Sequence, residues 1–239
     1  MVINMAGTIT HLAVADLICE KVGDSFFKSP SLFFCGNIAP DAVHARKDYI
    51  RQYKKHTHLT EGISGSDFQV EDKIKLYHSR LNEYIDKYYS FDSEYADLYL
   101  GYIVHLVTDE YFNIHIRKQF ASALEKEGIK DTDKEFFSRF MLEIDSVDRE
   151  ILQKYPFKHD IKRMLDVDHG YEITDMISTD EAERSKRWII DTLLSSEYVG
   201  SAGPFYNYDT AQKFITSTVD LIIFRFTEDT DFPHILIRK

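Results

Sequence analysis

His105 and Asp109 stand four residues apart in segment 98–112, whose other residues are almost all apolar. Four residues turn a helix by about 400°, so both side chains would project from one face. A helix apolar on nearly every side is a buried helix. An imidazole and a carboxylate placed there are costly unless both are satisfied. Two chemistries would do so. The pair could bond to each other or to core hydroxyls, or both could ligate a divalent cation. The second choice keeps the imidazole neutral and the carboxylate ionised, the states that a metal needs.

Other residues of the same chemistry lie elsewhere in the chain. They are His11 after Thr10, Asp41 after Pro40, His56 and His58 in Lys54-Lys-His-Thr-His-Leu59, and His115 ten residues beyond His105. Histidine with aspartate or glutamate is the ligand set of zinc and similar divalent ions. Each also has a plain reading: His11 as a helix-start residue, Asp41 as a turn residue, His56 or His58 as surface. From the residues alone, the choice between His56 and His58 stays open.

The elements that must position these residues read as helices. Apolar residues recur at helical spacing over 11–22, 30–36, 67–89, 94–126, 133–155, 159–165, 179–195 and 209–226. Asn37-Ile-Ala-Pro-Asp41 breaks the pattern, and 196–208 reads as a loop rich in Gly, Pro and aromatic residues. Strand-like alternation is scarce, and no repeat or linker stands out. The expectation is an all-α, single multi-helix domain over residues 1–239, packed around a buried central helix.

Bulk composition narrows the function. The chain carries 29 basic against 40 acidic residues, a net charge of −11. That argues against a nucleic-acid groove, which needs lysine and arginine to neutralise phosphates. It leaves room for a small phosphate ester held by a metal ion, whose charge inverts the local field. Cys19 and Cys35 lie in apolar settings, which suits a reducing, cytoplasmic location without a disulfide framework. Residues 1–10 carry no signal-peptide pattern, and the apolar runs are too short to span a bilayer. No stable membrane insertion is expected.

The order of these residues resembles the zinc-dependent phospholipase C family, which shares its fold with the zinc nucleases specific for single strands. The likeness is carried by Thr10-His11-Leu12, Phe34-Cys-Gly-Asn-Ile-Ala-Pro-Asp41, His58-Leu59 and Gly101-Tyr-Ile-Val-His-Leu-Val-Thr-Asp109, over roughly residues 8–115. The resemblance implies that His11 binds one zinc and that Asp109 bridges to a second. His105, His58 and Asp41 would complete that second site, with Asp41 also the candidate general base. It prefers His58 to His56. The implied activity is metal-dependent, phospholipase C-like hydrolysis of a small phosphate ester or lipid head group.

Two departures reduce the expected centre. Secreted members use the amino group of a mature N-terminal Trp as a ligand, whereas here ten residues precede His11. Their third zinc needs a His six residues after the bridging Asp, where His115 stands, and then a His-xxx-Glu that does not follow. One or two ions, zinc or another divalent metal, are therefore expected. Two alternatives are a non-catalytic metal-binding or interaction protein on the same fold, and an HD-type phosphohydrolase using His159-Asp160. That dipeptide also reads as a helix cap. Tyr102, Tyr111, Phe112 and Phe205 could line a cleft or pack as ordinary core.

Overall fold

The structure, a computed structural model, describes residues 6–167, 170–195 and 203–236. The loop expected over 196–208 lies outside the described residues as far as residue 202. The chain is all-α. Its helices are α1 (Thr8–Val22), α2 (Pro30–Ile38), α3 (Arg51–Thr57), α4 (Glu71–Tyr88), α5 (Ala96–Phe112), α6 (Lys118–Glu125), α7 (Lys134–Lys154), α8 (Ile161–Leu165), α9 (Thr179–Trp188) and α10 (Tyr208–Thr227). Extended pairing among the described residues is limited to an isolated bridge between Ile173 and Ile177. None of the described helices is long and apolar enough to cross a membrane.

Local side-chain caps set four of the ten described helix starts, those of α2, α8, α9 and α10. Ser29 accepts from the Leu32 N–H, and Pro30 occupies the first turn of α2, where its missing N–H costs nothing. Ser178 and Glu181 form a reciprocal capping box at α9, and Asn207 caps α10. Helix α1 has no such residue of its own. Its first turn is capped from α7, where the Asp148 carboxylate accepts from the Ile9 and Thr10 N–H groups at 2.8 and 3.0 Å. Gly7 permits this, because a Cβ there would lie 2.2 Å from Asp148 Oδ2.

Helix α5 runs through the centre, touching α1, α2, α4 and α10. Leu98, Ile103, Val104, Leu106, Val107 and Phe112 are fully buried along it. Each contributes about 1.5–3 kcal/mol on burial, enough together to carry several polar groups that cost about 1–3 kcal/mol apiece when unpaired. The single helix expected over 94–126 is interrupted by a π turn, Asn113–Arg117, before α6. Such turns are rare and recur at functional sites.

The approach of α2 to α5 is unusually close. A Cβ on Gly36 would stand 1.9 Å from the Leu98 carbonyl oxygen, and one on Gly101 would stand 2.1 Å from that of Phe33. Only glycine fits where two helix backbones touch in this way. The opposite side of α5 is fixed by charge. Glu110 is buried and accepts from Arg225 of α10 at 2.5 and 3.2 Å, and it lies 2.7 Å from His78 Nε2 of α4.

Candidate metal centre

The α2–α5 contact has a direct consequence for His105. Its Nδ1–H donates to the Asn37 carbonyl at 2.8 Å, which leaves the lone pair of the neutral ring on Nε2. His58 follows the last turn of α3 and is held in the same manner. Its Nδ1–H donates to the Lys54 carbonyl at 2.9 Å. Thr57 donates to the Pro40 carbonyl at 3.0 Å and so ties α3 to the turn that carries Asp41. Asp41 itself sits in the 3-10 turn Ala39–Ala45.

These constraints bring five side chains to one point. The two Nε2 atoms of His58 and His105 face each other at 3.2 Å. Asp109 Oδ2 lies 3.3 Å from His105 Nε2 and 3.5 Å from His58 Nε2. Asp41 Oδ1 lies 3.4 Å from His58 Nε2. On the other side, Asp109 Oδ1 lies 3.2 Å from His11 Nε2 and accepts from the Ala6 N–H at 3.1 Å. The imidazoles of His11 and His105 stack, 3.7 Å between centroids and 5° from parallel.

This is a poor arrangement for hydrogen bonding. Both facing Nε2 atoms carry lone pairs once their Nδ1–H groups are committed. Asp109 Oδ2 and both ring nitrogens of His11 are buried with no hydrogen-bond partner. A second proton on His105 would relieve one contact and leave the His11 and His58 contacts unrelieved. A divalent cation relieves them together. Ligand atoms about 2.0–2.1 Å from a tetrahedral zinc stand about 3.3–3.4 Å from one another, and the triangle of His58 Nε2, His105 Nε2 and Asp109 Oδ2 has edges of 3.2, 3.3 and 3.5 Å. The donor set fits zinc. Two candidate ligand groups overlap here, His11–His105–Asp109 and Asp41–His58–His105.

The electrostatics favour neutral His11 and His58 and ionised carboxylates, and pull the other way at His105. Burial, reinforced by the Lys54 charge, pushes His58 down to about 4. Burial and then His105 lower His11. For His105, burial opposes the charged form, but Asp109 and Asp41 raise it overall. Burial also works against ionised Asp109, yet His105 and His11 hold it far below the carboxylate range. Asp41 is held well below that range as well, because Lys54, His58 and His105 outweigh its burial.

The cluster is open on one side. The side chains of His11, His58, His105 and Asp109 are 1–6% exposed, against 19% for Asp41 and 20% for His44. Access to the centre therefore lies at Asp41.

The remaining residues singled out from the sequence stand elsewhere. His56 is half exposed and pairs with Glu61 at 2.9 Å. His115 is exposed against the Tyr111 ring, because six residues carry it to another face of the helix from Asp109. His159 lies between Asp16 and Asp24, at 2.7 and 3.1 Å, and Asp160 caps α8. The His-Asp pair that an HD site needs is thus spent on packing. Tyr102 and Phe112 are fully buried core, and Phe205 packs on Phe120.

Lys54 was not singled out. It is 4% exposed, and its Nζ lies 2.5 Å from Asp41 Oδ1 and 3.4 Å from His44 Nε2. Its position four residues before His58, on the same helical face, was the available signal.

These features define a class: an all-α chain built around a buried histidine–carboxylate centre of the kind that takes a divalent metal. A family model described as zinc dependent phospholipase C matches residues 10–193. The chain belongs to that family, and zinc is the cofactor that the family and the donor set share. No curated protein and no solved structure matches the chain.

Proposed function

We propose that the chain hydrolyses phosphate esters in the manner of a phospholipase C, on a small phosphate ester or lipid head group. The observation that carries this reading is the triangle of lone-pair donors formed by His58, His105 and Asp109, with Asp41 at its open side. His11, His58, His105, Asp109 and Asp41 would hold one or two zinc ions, with Asp109 shared. Bound zinc supplies Lewis-acid polarisation of the phosphoryl oxygens and a more acidic water.

The chain's own groups supply orientation. The Asn37 and Lys54 carbonyls fix the tautomers of His105 and His58. Lys54 keeps Asp41 ionised at the mouth of the centre, where its second oxygen can accept a proton from the attacking water and aim it. A carboxylate held this far below its ordinary range is a weak base, so its main contribution is orientation. Two free, buried cysteines support a reducing, cytoplasmic setting.

The test is metal content paired with activity. Purified protein carries zinc, and Asp109→Asn loses most of it. Zinc-loaded protein hydrolyses an aryl phosphodiester or a phosphocholine ester, and Asp41→Asn at equal zinc loading lowers kcat by about 10², the low end of the range for a proton-accepting group. A fully loaded, folded sample inert across such a panel assigns the cluster a structural role instead.

A further inference from the structure

A second polar feature lies beyond the metal centre on the same helix face. Asn113 and Arg117 continue the every-fourth spacing of His105 and Asp109 through the π turn. At about 1.5 Å of rise per residue, Arg117 is about 12 Å along the axis from Asp109. Both side chains line an open cavity of about 410 Å³, bordered by the Gly65–Gln69 turn and by residues 129–132. That volume suits a small ligand.

The cavity is built around an arginine that is not fully used. Arg117 is 4% exposed, with its guanidinium stacked over Phe136 at 4.8 Å. Its Nη2 reaches Asp131 only at 3.4 Å, and its Nη1 is buried with no partner. Asn113 is 3% exposed. Its Nδ2 donates to the Asp109 carbonyl at 2.8 Å, while its Oδ1 is buried with no partner. A Cβ on Gly65 would lie 2.5 Å from Arg117 Nε and 2.8 Å from Asn113 Oδ1, so only glycine lets this turn pack directly against both groups.

An unpaired guanidinium N–H and an unpaired amide oxygen call for a ligand that both accepts and donates. Near neutral pH, phosphate and phosphomonoesters supply anionic oxygens together with a hydroxyl, since their second ionisation falls near 6. Lys118 and Lys130 add positive charge to the lining, against Glu125 and the already engaged Asp131. We propose that this cavity is an anion site, separate from the metal centre, in which Arg117 Nη1 donates to a phosphate oxygen and Asn113 Oδ1 accepts from the phosphate hydroxyl. Inorganic phosphate or a small phosphomonoester would occupy it.

The test uses the full chain, zinc-loaded, titrated with inorganic phosphate and separately with glycerol 3-phosphate. The ¹⁵N–¹H resonance of Arg117 Nε, assigned by its loss in Arg117→Gln, reports this cavity and not the metals. The expected result is a saturable shift with at least one anion. The exposed lining residue Ser122, changed to Glu, weakens that binding at least about tenfold without touching the guanidinium stack. Asp109→Asn leaves it within about twofold, below the roughly 0.4 kcal/mol that such a ratio represents. A response to the ester alone identifies a phosphomonoester as the occupant, and equal responses identify free phosphate as sufficient. No saturable shift with either anion, or equal affinity in Ser122→Glu, overturns the proposal. So does a shift lost on Asp109→Asn, which would trace the response to the metal centre.

Discussion

At the scale of single residues, one helix carries opposite charge logic on its two sides. Toward α2 and α3, Asp109 faces imidazole lone pairs and needs a cation that the protein does not supply from its own side chains. Toward α10, the neighbouring Glu110 has its cation built in. Arg225 and Glu110 are 7% and 1% exposed, and the bidentate pair is completed by His78. Removing one partner of a buried pair strands the other charge, which costs about 3–5 kcal/mol. Glu110→Gln should lower stability by that amount, read from the midpoint of urea unfolding. A loss below about 1 kcal/mol would show that Arg225 reaches water without difficulty. Asp109 and Glu110 are thus adjacent acidic residues with different surroundings, and only the second has a guanidinium paired with it.

At the scale of elements, the geometry of the centre depends on how closely α2 and α5 can approach. The bond from His105 Nδ1 to the Asn37 carbonyl crosses that contact. Gly101→Ala places a Cβ 2.1 Å from the Phe33 oxygen and 2.7 Å from the Asn37 nitrogen. Backbone must then shift, and overpacking of this kind costs about 1–3 kcal/mol or more. Gly101→Ala should therefore lose zinc affinity together with stability, measured by metal titration and thermal unfolding. Retention of full affinity would sever the link between the helix contact and His105 orientation. A second element contact sets a pH response. Glu181 opens α9, accepts from Ser178 N–H at 2.9 Å, and pairs with Arg46 beside the Asp41 turn. Burial alone would raise its carboxyl, but Arg46 and the bonds from Ser178 hold it below the ordinary value. A depressed carboxyl contributes stability above the unfolded value of about 4.3, and that contribution is lost as pH falls through the folded value. Glu181→Gln should be less stable than the parent near neutrality, and the two should converge in acid. Parallel unfolding curves across that range would remove Glu181 from the acid response.

At the scale of the whole molecule, the centre joins parts of the chain that are far apart in sequence. His11 comes from α1, Asp41 from the turn after α2, His58 from the end of α3, and His105 and Asp109 from α5. Zinc bound at their meeting point favours the folded chain alone, so chelation should lower Tm. Zinc at about a thousand times its Kd contributes roughly 4 kcal/mol, or about 10 °C for a chain of this size. A Tm indifferent to chelation, in protein shown to lose its zinc, would mean that the ligands meet without the metal's help. The helical class and most helix spans were legible in the sequence, because apolar periodicity acts over a few residues. The His105–Asp109 pair was legible for the same reason, since four residues fix a shared face. Three things required the tertiary structure. The π turn follows from packing that no local pattern encodes. The cap of α1 comes from Asp148, about 140 residues away. The placing of His58 at the cluster and His56 in solvent depends on the turn after α3 and on Thr57 reaching Pro40. Sequence determines what a residue can do and which near neighbours share its face; only the packed helices decide which distant lone pairs must share one point.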